Sequence, residues 1–160
     1  SGSSVGISIV KKRDDLEKAI KKALTESDEI ILEKFIDGLE LTVPVLDKKA
    51  LPVVEITPKK EFFDYQAKYE AEWSEEIVPA RISSEATKKA QEMALEAHRA
   101  LYCRHYSRVD MILDKKGKIW VLEVNSLPGM TPNSLIPKSA AAAGISFSQL
   151  LDKIINLAKK

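Results

Sequence analysis

The stretch YSRVDMILDKKGKIWVLEVNSLPGMTPNS, residues 106–134, decides the fold. Two runs rich in Val, Ile and Leu flank DKKGK, and Lys116-Gly117 predicts a two-residue hairpin turn. In that register Lys115 faces Lys118, Asp110 faces Glu123 and Arg108 faces Asn125. Directly opposed side chains have Cβ atoms ~5 Å apart, and like charges there repel. Glu123 and Asn125 stand two apart and so share a face. Ile112, Val121 and Ile119 are expected on these same faces, which are therefore not polar faces. Two facing carboxylates with an amide oxygen beside them suit a hard divalent cation, which takes oxygen ligands. Arg108 adds a fixed positive fork for phosphate or a developing oxyanion. The cluster lies where the strand enters a loop built on Pro128, Gly129 and Pro132, a usual place for a site. A solvated strand face with a few charges is the plainer alternative.

Outward from the hairpin, SSEATKKAQEMALEAHRAL reads as a helix with Ala86, Ala90, Met93, Ala94, Ala97 and Leu101 on one stripe. SLIPKSAAAAG predicts a helix stopped by Gly144, and SFSQLLDKIINLAKK an amphipathic helix with Ser146 and Gln149 as a capping box. Toward the N-terminus, DDLEKAIKKALTE is helical, with Asp14 and Glu17 as a capping box. SGSSVGISIV predicts a Gly/Ser loop leading into a short strand. EIILEKFI, LELTVPVLD and ALPVVEITP read as strands, with a turn at Asp37-Gly38. Pro44 inside the second run predicts a sheet edge or a bulge. Residues 59–82, KKEFFDYQAKYEAEWSEEIVPARI, are aromatic, charged and aperiodic, and are expected to form a long functional loop, mobile over Lys59 to Ile77. The mixture of helices and hairpin-linked strands predicts an α+β fold with a largely antiparallel sheet flanked by helices.

With 160 residues there is enough chain for one domain with a real core, or for one domain plus part of another. A net charge of +1 implies no nucleic-acid partner. Cys103 is the single cysteine and forms no internal disulfide, which fits a reducing compartment. No apolar run is long enough to span a membrane. The opening SGSSVGISIV has no Met and starts as though inside a motif, so the chain is expected to be a piece of a longer protein. His98 and His105 lack metal-ligand spacing and read as structural or surface residues, and Trp73 and Trp120 read as packing residues.

The segment YSRVDMIL…VLEVNSLPGMTPNSLIPKSAAAAGISF resembles the C-terminal part of the D-alanine–D-alanine ligases, within the ATP-grasp superfamily. GSSVGIS is similar to that family's phosphate-covering loop, LEKFIDGLELTV to its adenine-and-ribose segment, and FFDYQAKY to its active-site flap. The resemblance implies an ATP-grasp C-terminal domain over residues 38–160 and the tail of the central ATP-binding subdomain over residues 1–37. It also implies the residue roles. Ser3, Ser4, Val5 and Gly6 would close over ATP phosphates, with Ser3 near the first D-alanine. Glu33, Lys34 and Ile36 would line the adenine pocket, Glu40 would bind ribose, and Lys68 a phosphate. Tyr69 would pair with Ser3 to shut the flap. Asp110, Glu123 and Asn125 would hold two Mg²⁺ (or Mn²⁺) ions. Arg108 and the Gly129 N–H would form the oxyanion site, and Ser134 with the Leu135 N–H would take the second D-alanine's carboxylate. Ser134 also suits a plain helix cap, and the two roles are compatible because a helix N-terminus is an anion site.

The implied reaction joins two D-alanines at the expense of ATP, through an acyl phosphate, for peptidoglycan precursors. A cytoplasmic, homodimeric full-length enzyme is implied with it. D-alanine–D-lactate ligases share the metal motif but lack the Lys68-Tyr69 pattern, and a non-catalytic nucleotide-binding module is a second alternative. Two positions depart from the family's pattern, Tyr102 and His105, where glycines are common; Pro44 stands where a small residue is more usual.

Overall fold

The structure is a computed structural model, and it describes residues 6–58 and 74–159. Its sheet has the strand order β4-β3-β1-β5-β6, formed by Gly38–Leu46 (β1), Val54–Pro58 (β3), Ser74–Ile77 (β4), Tyr106–Asp114 (β5) and Ile119–Asn125 (β6). The short strand Lys49–Ala50 (β2) pairs with the end of β1. Every pairing among the described strands is antiparallel, as the hairpin-rich sequence predicts.

Alternation along β1 and β5 sends two different sets of side chains to the two faces. Leu41, Val43, Val45, Val109 and Met111 go to one face and pack against the helix Ser84–Ala100 (α2) through Ala90 and Ala94. Small residues at those helix positions let the helix lie close to the sheet. His98 is also buried there and shares a 2.7 Å hydrogen bond with Ser107, so of its two expected readings, structural or surface, it is structural. Burial, and then the charge of Arg99, lower its pKa. Leu101, expected on the buried stripe, lies beyond the helix and is exposed, because the chain turns off through Tyr102. Tyr102 and His105 both adopt positive φ, 54° and 64°, the backbone region that glycine occupies without strain.

The opposite face is covered at one end only. There Leu46 and Leu51 pack against Ile136, Ala140 and Leu150 of the helices Leu135–Ala142 (α3) and Phe147–Ala158 (α4). Gly144, at φ 76°, follows the end of α3, and the Ser146–Gln149 capping box opens α4, both as expected.

Several local expectations are corrected. Of the two places expected for Pro44 the sheet edge is wrong, since it is fully buried in the central strand β1 opposite Arg108, while the bulge fits: between Thr42↔Val54 and Val45↔Ala50 the register slips by one residue. The Pro44 carbonyl accepts from the Leu51 N–H, away from β5, and in a strand the N–H of a residue points the same way as its carbonyl. The missing proline N–H therefore falls where β1 changes partner from β3 to β2 and takes no bond from β5. Gly38 is not a turn residue but the first residue of β1, and a Cβ there would run into the Leu113 carbonyl oxygen. EIILEKFI forms no strand; Ile31, Leu32 and Phe35 are exposed, and no described strand lies alongside to complete a ladder. The described part of SGSSVGISIV likewise forms no strand. The helix of the first segment is Leu16–Ala23 (α1), preceded by a 3-10 turn at Arg13–Asp15. Asp15, not Asp14, is its N-cap, and it makes no side-chain capping bond. Within the expected loop, Ser74–Ile77 is strand β4, while the rest of the expected flap, residues 59–73 with Lys68, Tyr69 and Trp73, lies outside the described residues. Cys103 is a free, partly buried thiol. No described helix is long and apolar enough to cross a membrane.

Candidate active site

The site is built on the uncovered part of the sheet face, and the register lays it out in rows. Thr42, Asp110 and Glu123 stand side by side across β1, β5 and β6. One step toward α3 the row is Pro44, Arg108 and Asn125; one step the other way it is Glu40, Ile112 and Trp120. Asp110 and Glu123 therefore share one face, as the sequence predicts.

The turn that produces this register differs from the expected one. The loop is three residues, Lys115 to Gly117, closed by a bond from the Asp114 N–H to the Lys118 carbonyl at 2.9 Å. Gly117 has φ 77° and donates to the Asp114 carbonyl. Lys118 thus stands opposite Asp114 and not Lys115. The pairing shifts by one residue between Asp110 and Met111, where Leu122 is the extra residue of a bulge in β6. The longer turn and the bulge cancel, which is why Arg108–Asn125 and Asp110–Glu123 still face each other. The bulge also sends Ile119 to the buried face, opposite Leu113, and Val121 opposite the buried Met111, against the expectation that both would share the face of Glu123. Ile112 does lie on the site face.

Arg108 grips Asp110 with both arms of its fork, Nε to Oδ1 at 2.9 Å and Nη2 to Oδ2 at 2.6 Å. Glu123 Oε1 lies 4.0 Å from the same Nη2. Burial opposes the charge on Arg108, but the bonds to Asp110 and the charges of Asp110, Glu123 and Glu40 outweigh it and raise its pKa above the ordinary value. Thr42 Oγ1 donates to Asp110 Oδ1 at 2.5 Å. Sequence reasoning missed Thr42, because nothing local in LELTV reveals that β1 pairs with β5 or in which register.

Three donors thus fill three of the roughly four acceptor positions of the Asp110 carboxylate, and one remains on Oδ2. Glu123 is mostly exposed, and Asn125 Oδ1 accepts from the Leu127 N–H at 3.0 Å. An all-oxygen set of this kind fits a hard divalent cation. Among the described residues no group of three His, Cys, Asp or Glu gathers in one place, so the fit depends on Asn125 as the third ligand.

Beside this cluster lies a small pocket of about 190 Å³, lined by Arg108, Gly129, Ser134, Leu135 and Glu76 among others. Four residues singled out from the sequence therefore meet in one place. Ser134 is the N-cap of α3 but makes no capping bond; its Oγ instead accepts from the Thr131 N–H at 3.0 Å and shares a bond with the Thr131 hydroxyl at 2.8 Å. The N–H groups of the first turn of α3 therefore have no side-chain cap, and Ser134, Leu135 and Ile136 of that turn line the pocket. Gly129 comes so close that a Cβ there would be 3.1 Å from Ser134 Oγ. Glu76 was not foreseen, since the segment SEE carries no periodic signal.

Lys34 and Ile36 fall in a second, wider pocket of about 450 Å³ between the 34–37 segment and the β5–β6 turn, with Phe35, Lys115 and Trp120. The turn is held by Asp114: Oδ1 accepts from the Lys116 and Lys118 N–H groups and Oδ2 from Trp120 Nε1, all at 2.9 Å. These bonds, the one from Trp120 foremost, lower the Asp114 pKa. Lys118 Nζ lies over the Trp120 ring, and Lys115 forms an ion pair with Asp37. Glu33 is exposed and lines neither pocket. Gly6, at φ 77°, packs against Glu26 and also lines neither. Ser3, Ser4, Val5, Lys68 and Tyr69 lie outside the described residues.

A D-alanine–D-alanine ligase of Clostridium beijerinckii is 51% identical over 154 residues, covering 96% of this chain and 51% of that protein. The crystal structure of a D-alanine–D-alanine ligase from Bacillus anthracis superposes with a TM-score of 0.85 at 43% identity, over 98% of this chain and 51% of that one. A Bacillus anthracis ligase structure complexed with ATP gives 0.82 at 42% identity, over 96% and 50%. The chain thus spans about half the length of the curated relatives it matches. The family model described as "D-ala D-ala ligase C-terminus" matches residues 1–156, and the chain belongs to that family.

Proposed function

We propose that this chain is the half of an ATP-dependent D-alanine–D-alanine ligase that holds the metal-bound phosphates and the second amino acid. The observation that supports it most is the convergence of Arg108, Gly129, Ser134 and Leu135 on one small pocket beside the opposed pair Asp110 and Glu123. A carboxylate is a poor electrophile toward an amine because its leaving group is poor. ATP would convert the first D-alanine's carboxylate to an acyl phosphate, the second D-alanine's amine would attack it, and phosphate would leave. Asp110, Glu123 and Asn125 would hold Mg²⁺ (or Mn²⁺), which when bound neutralises charge on the transferring phosphoryl group. Arg108, fixed by Asp110, and the Gly129 N–H would meet the oxygen on which charge develops. Ser134 and the Leu135 N–H, at the start of α3, would take the second substrate's carboxylate.

Lys34 and Ile36 in the second pocket, with Glu33 and Glu40, form the adenine and ribose side of this reading. Ser3, Ser4, Val5, Gly6, Lys68 and Tyr69 form its phosphate-covering and flap side. The subdomain boundary falls between residues 37 and 38, and the product serves peptidoglycan synthesis in the cytoplasm, made by a homodimer. Phosphate release and dipeptide mass, measured on the full-length protein with ATP, Mg²⁺ and D-alanine, test the reading. Phosphate release that is indifferent to D-alanine, with no dipeptide formed, overturns it.

A further inference from the structure

Glu76 is the acid of the small pocket that none of the roles above uses. It stands on β4, a four-residue strand that pairs, among the described residues, with β3 alone. Lys138 stands on α3, one helical turn beyond Ser134 and behind the pocket lining, and its Nζ meets Glu76 Oε2 at 2.5 Å. The two side chains are 39% and 25% exposed, well covered for a lysine and a glutamate. The next residue, Ser139, is fully buried and donates to the Pro52 carbonyl at 2.6 Å. Helix α3 is thus tied to the sheet at two points. Ser139 holds it to the segment before β3, and Lys138 holds it to β4 at the pocket wall.

The size of the pocket makes that second tie matter. About 190 Å³ lies below the range of roughly 300–1,000 Å³ for drug-sized ligands, and suits a small amino acid. The two charged residues that line the pocket, Arg108 and Glu76, are each matched by a partner outside it, Asp110 and Lys138. Together they present little net charge to a zwitterion, whose carboxylate then finds the start of α3.

We propose that Glu76 and Lys138 are a positioning pair that fixes the distance between β4 and the start of α3, and with it the fit of the acceptor amino acid; this rests on the ligase reading above. Neither residue touches reacting atoms. Their effect passes through the placement of Ser134 and Leu135, so it falls on the acceptor and not on the nucleotide.

The test is initial-rate kinetics of the full-length protein, with KM for the acceptor D-alanine, KM for ATP and kcat read separately. The variants are Glu76→Gln, Lys138→Met and the double exchange Glu76→Lys with Lys138→Glu. Each single variant raises the acceptor KM roughly tenfold, given that a 1 Å misplacement costs on the order of 10²-fold. The KM for ATP stays within about twofold, and the exchange, which rebuilds the ion pair reversed, recovers most of the loss. Single variants that leave the acceptor KM unchanged, or raise both KM values together, overturn the proposal. So does an exchange no better than its parents, with thermal midpoints showing all forms folded. An unsubstituted protein that makes no dipeptide instead brings down the ligase reading itself.

Discussion

Glu55 offers a measurable account of what holds the centre of the sheet. It lies on the buried face of β3 opposite Leu41 and is 3% exposed, an expensive place for a charge without a partner. Arg81, between β4 and α2, supplies that partner: its backbone N–H donates to Oε2 at 2.9 Å, and its guanidinium Nη2 to Oε1 at 2.5 Å. Thr57 adds a bond at 3.1 Å. The side-chain bond from Arg81 is the main cause that holds the Glu55 pKa down to about 2 from 4.5, against the opposing effect of burial.

A depressed carboxylate pKa contributes stability that is present above the unfolded-state value and lost as pH falls through the folded-state value. The window is therefore pH 4.5 down to about 2. At 1.36 kcal/mol per pKa unit the ceiling is about 3 kcal/mol at neutral pH. Arg81 is 61% exposed, so water screens the pair and the working figure is about 1–2 kcal/mol. The perturbation is Glu55→Gln, which keeps the volume and removes the charge. Urea denaturation of both forms at several pH values isolates this group from the other carboxylates. The gap between the forms is constant from pH 7 to 5 and narrows by about 1–2 kcal/mol toward pH 2.5. A gap that stays level across that range refutes the assignment of this stability to the Glu55 charge.

Arg108→Ala in the full-length protein lowers kcat by about 10²-fold or more, since a donor to developing charge is worth that much; steady-state kinetics checks it, and an unchanged kcat removes Arg108 from the mechanism. Residues 1–160 assayed alone release phosphate from ATP and D-alanine at under about 1% of the full-length rate, because positioning supplies roughly 7–11 kcal/mol of barrier lowering; comparable rates contradict this. Gly38→Ala lowers stability by about 1–3 kcal/mol through its contact with the Leu113 carbonyl, read by thermal or urea unfolding. Tyr102→Gly and His105→Gly relieve positive φ and stabilise by up to about 1 kcal/mol, visible as a raised denaturation midpoint, with no gain counting against strain there.

The parts of the fold legible in the sequence are those where local pattern and tertiary demand agree. Helices α2 and α4 announce themselves by spacing and, for α4, by the Ser146–Gln149 box, and β5 alternates cleanly between its two faces. EIILEKFI misled because a β-rich run becomes a strand only beside another strand, and its own residues hold no information about that neighbour. Ser74–Ile77 was hidden for the converse reason: Glu75 and Glu76 are poor strand formers, recruited by pairing with β3. In the candidate site, Arg108, Asp110, Glu123 and Asn125 were found by register, whereas Thr42 and Glu76 come from strands whose pairing partners no local rule reveals.

The bulge at Leu122 amounts to a phase slip in β6. In a regular strand Ile119 and Glu123, four apart, would have to share a face, and one of them would be in the wrong solvent: the isoleucine in water or the carboxylate in the core. The extra residue lets each half of the strand keep its own alternation. The half near the turn can be altered for packing against α2, and the half near the loop altered for oxygen donors, without either change propagating to the other. A family with such a seam can vary its core while holding its chemistry in place. The parity of residue spacing across position 122 is then a poor guide to which residues share a face, and alignment on the loop side is the one that matters for the site.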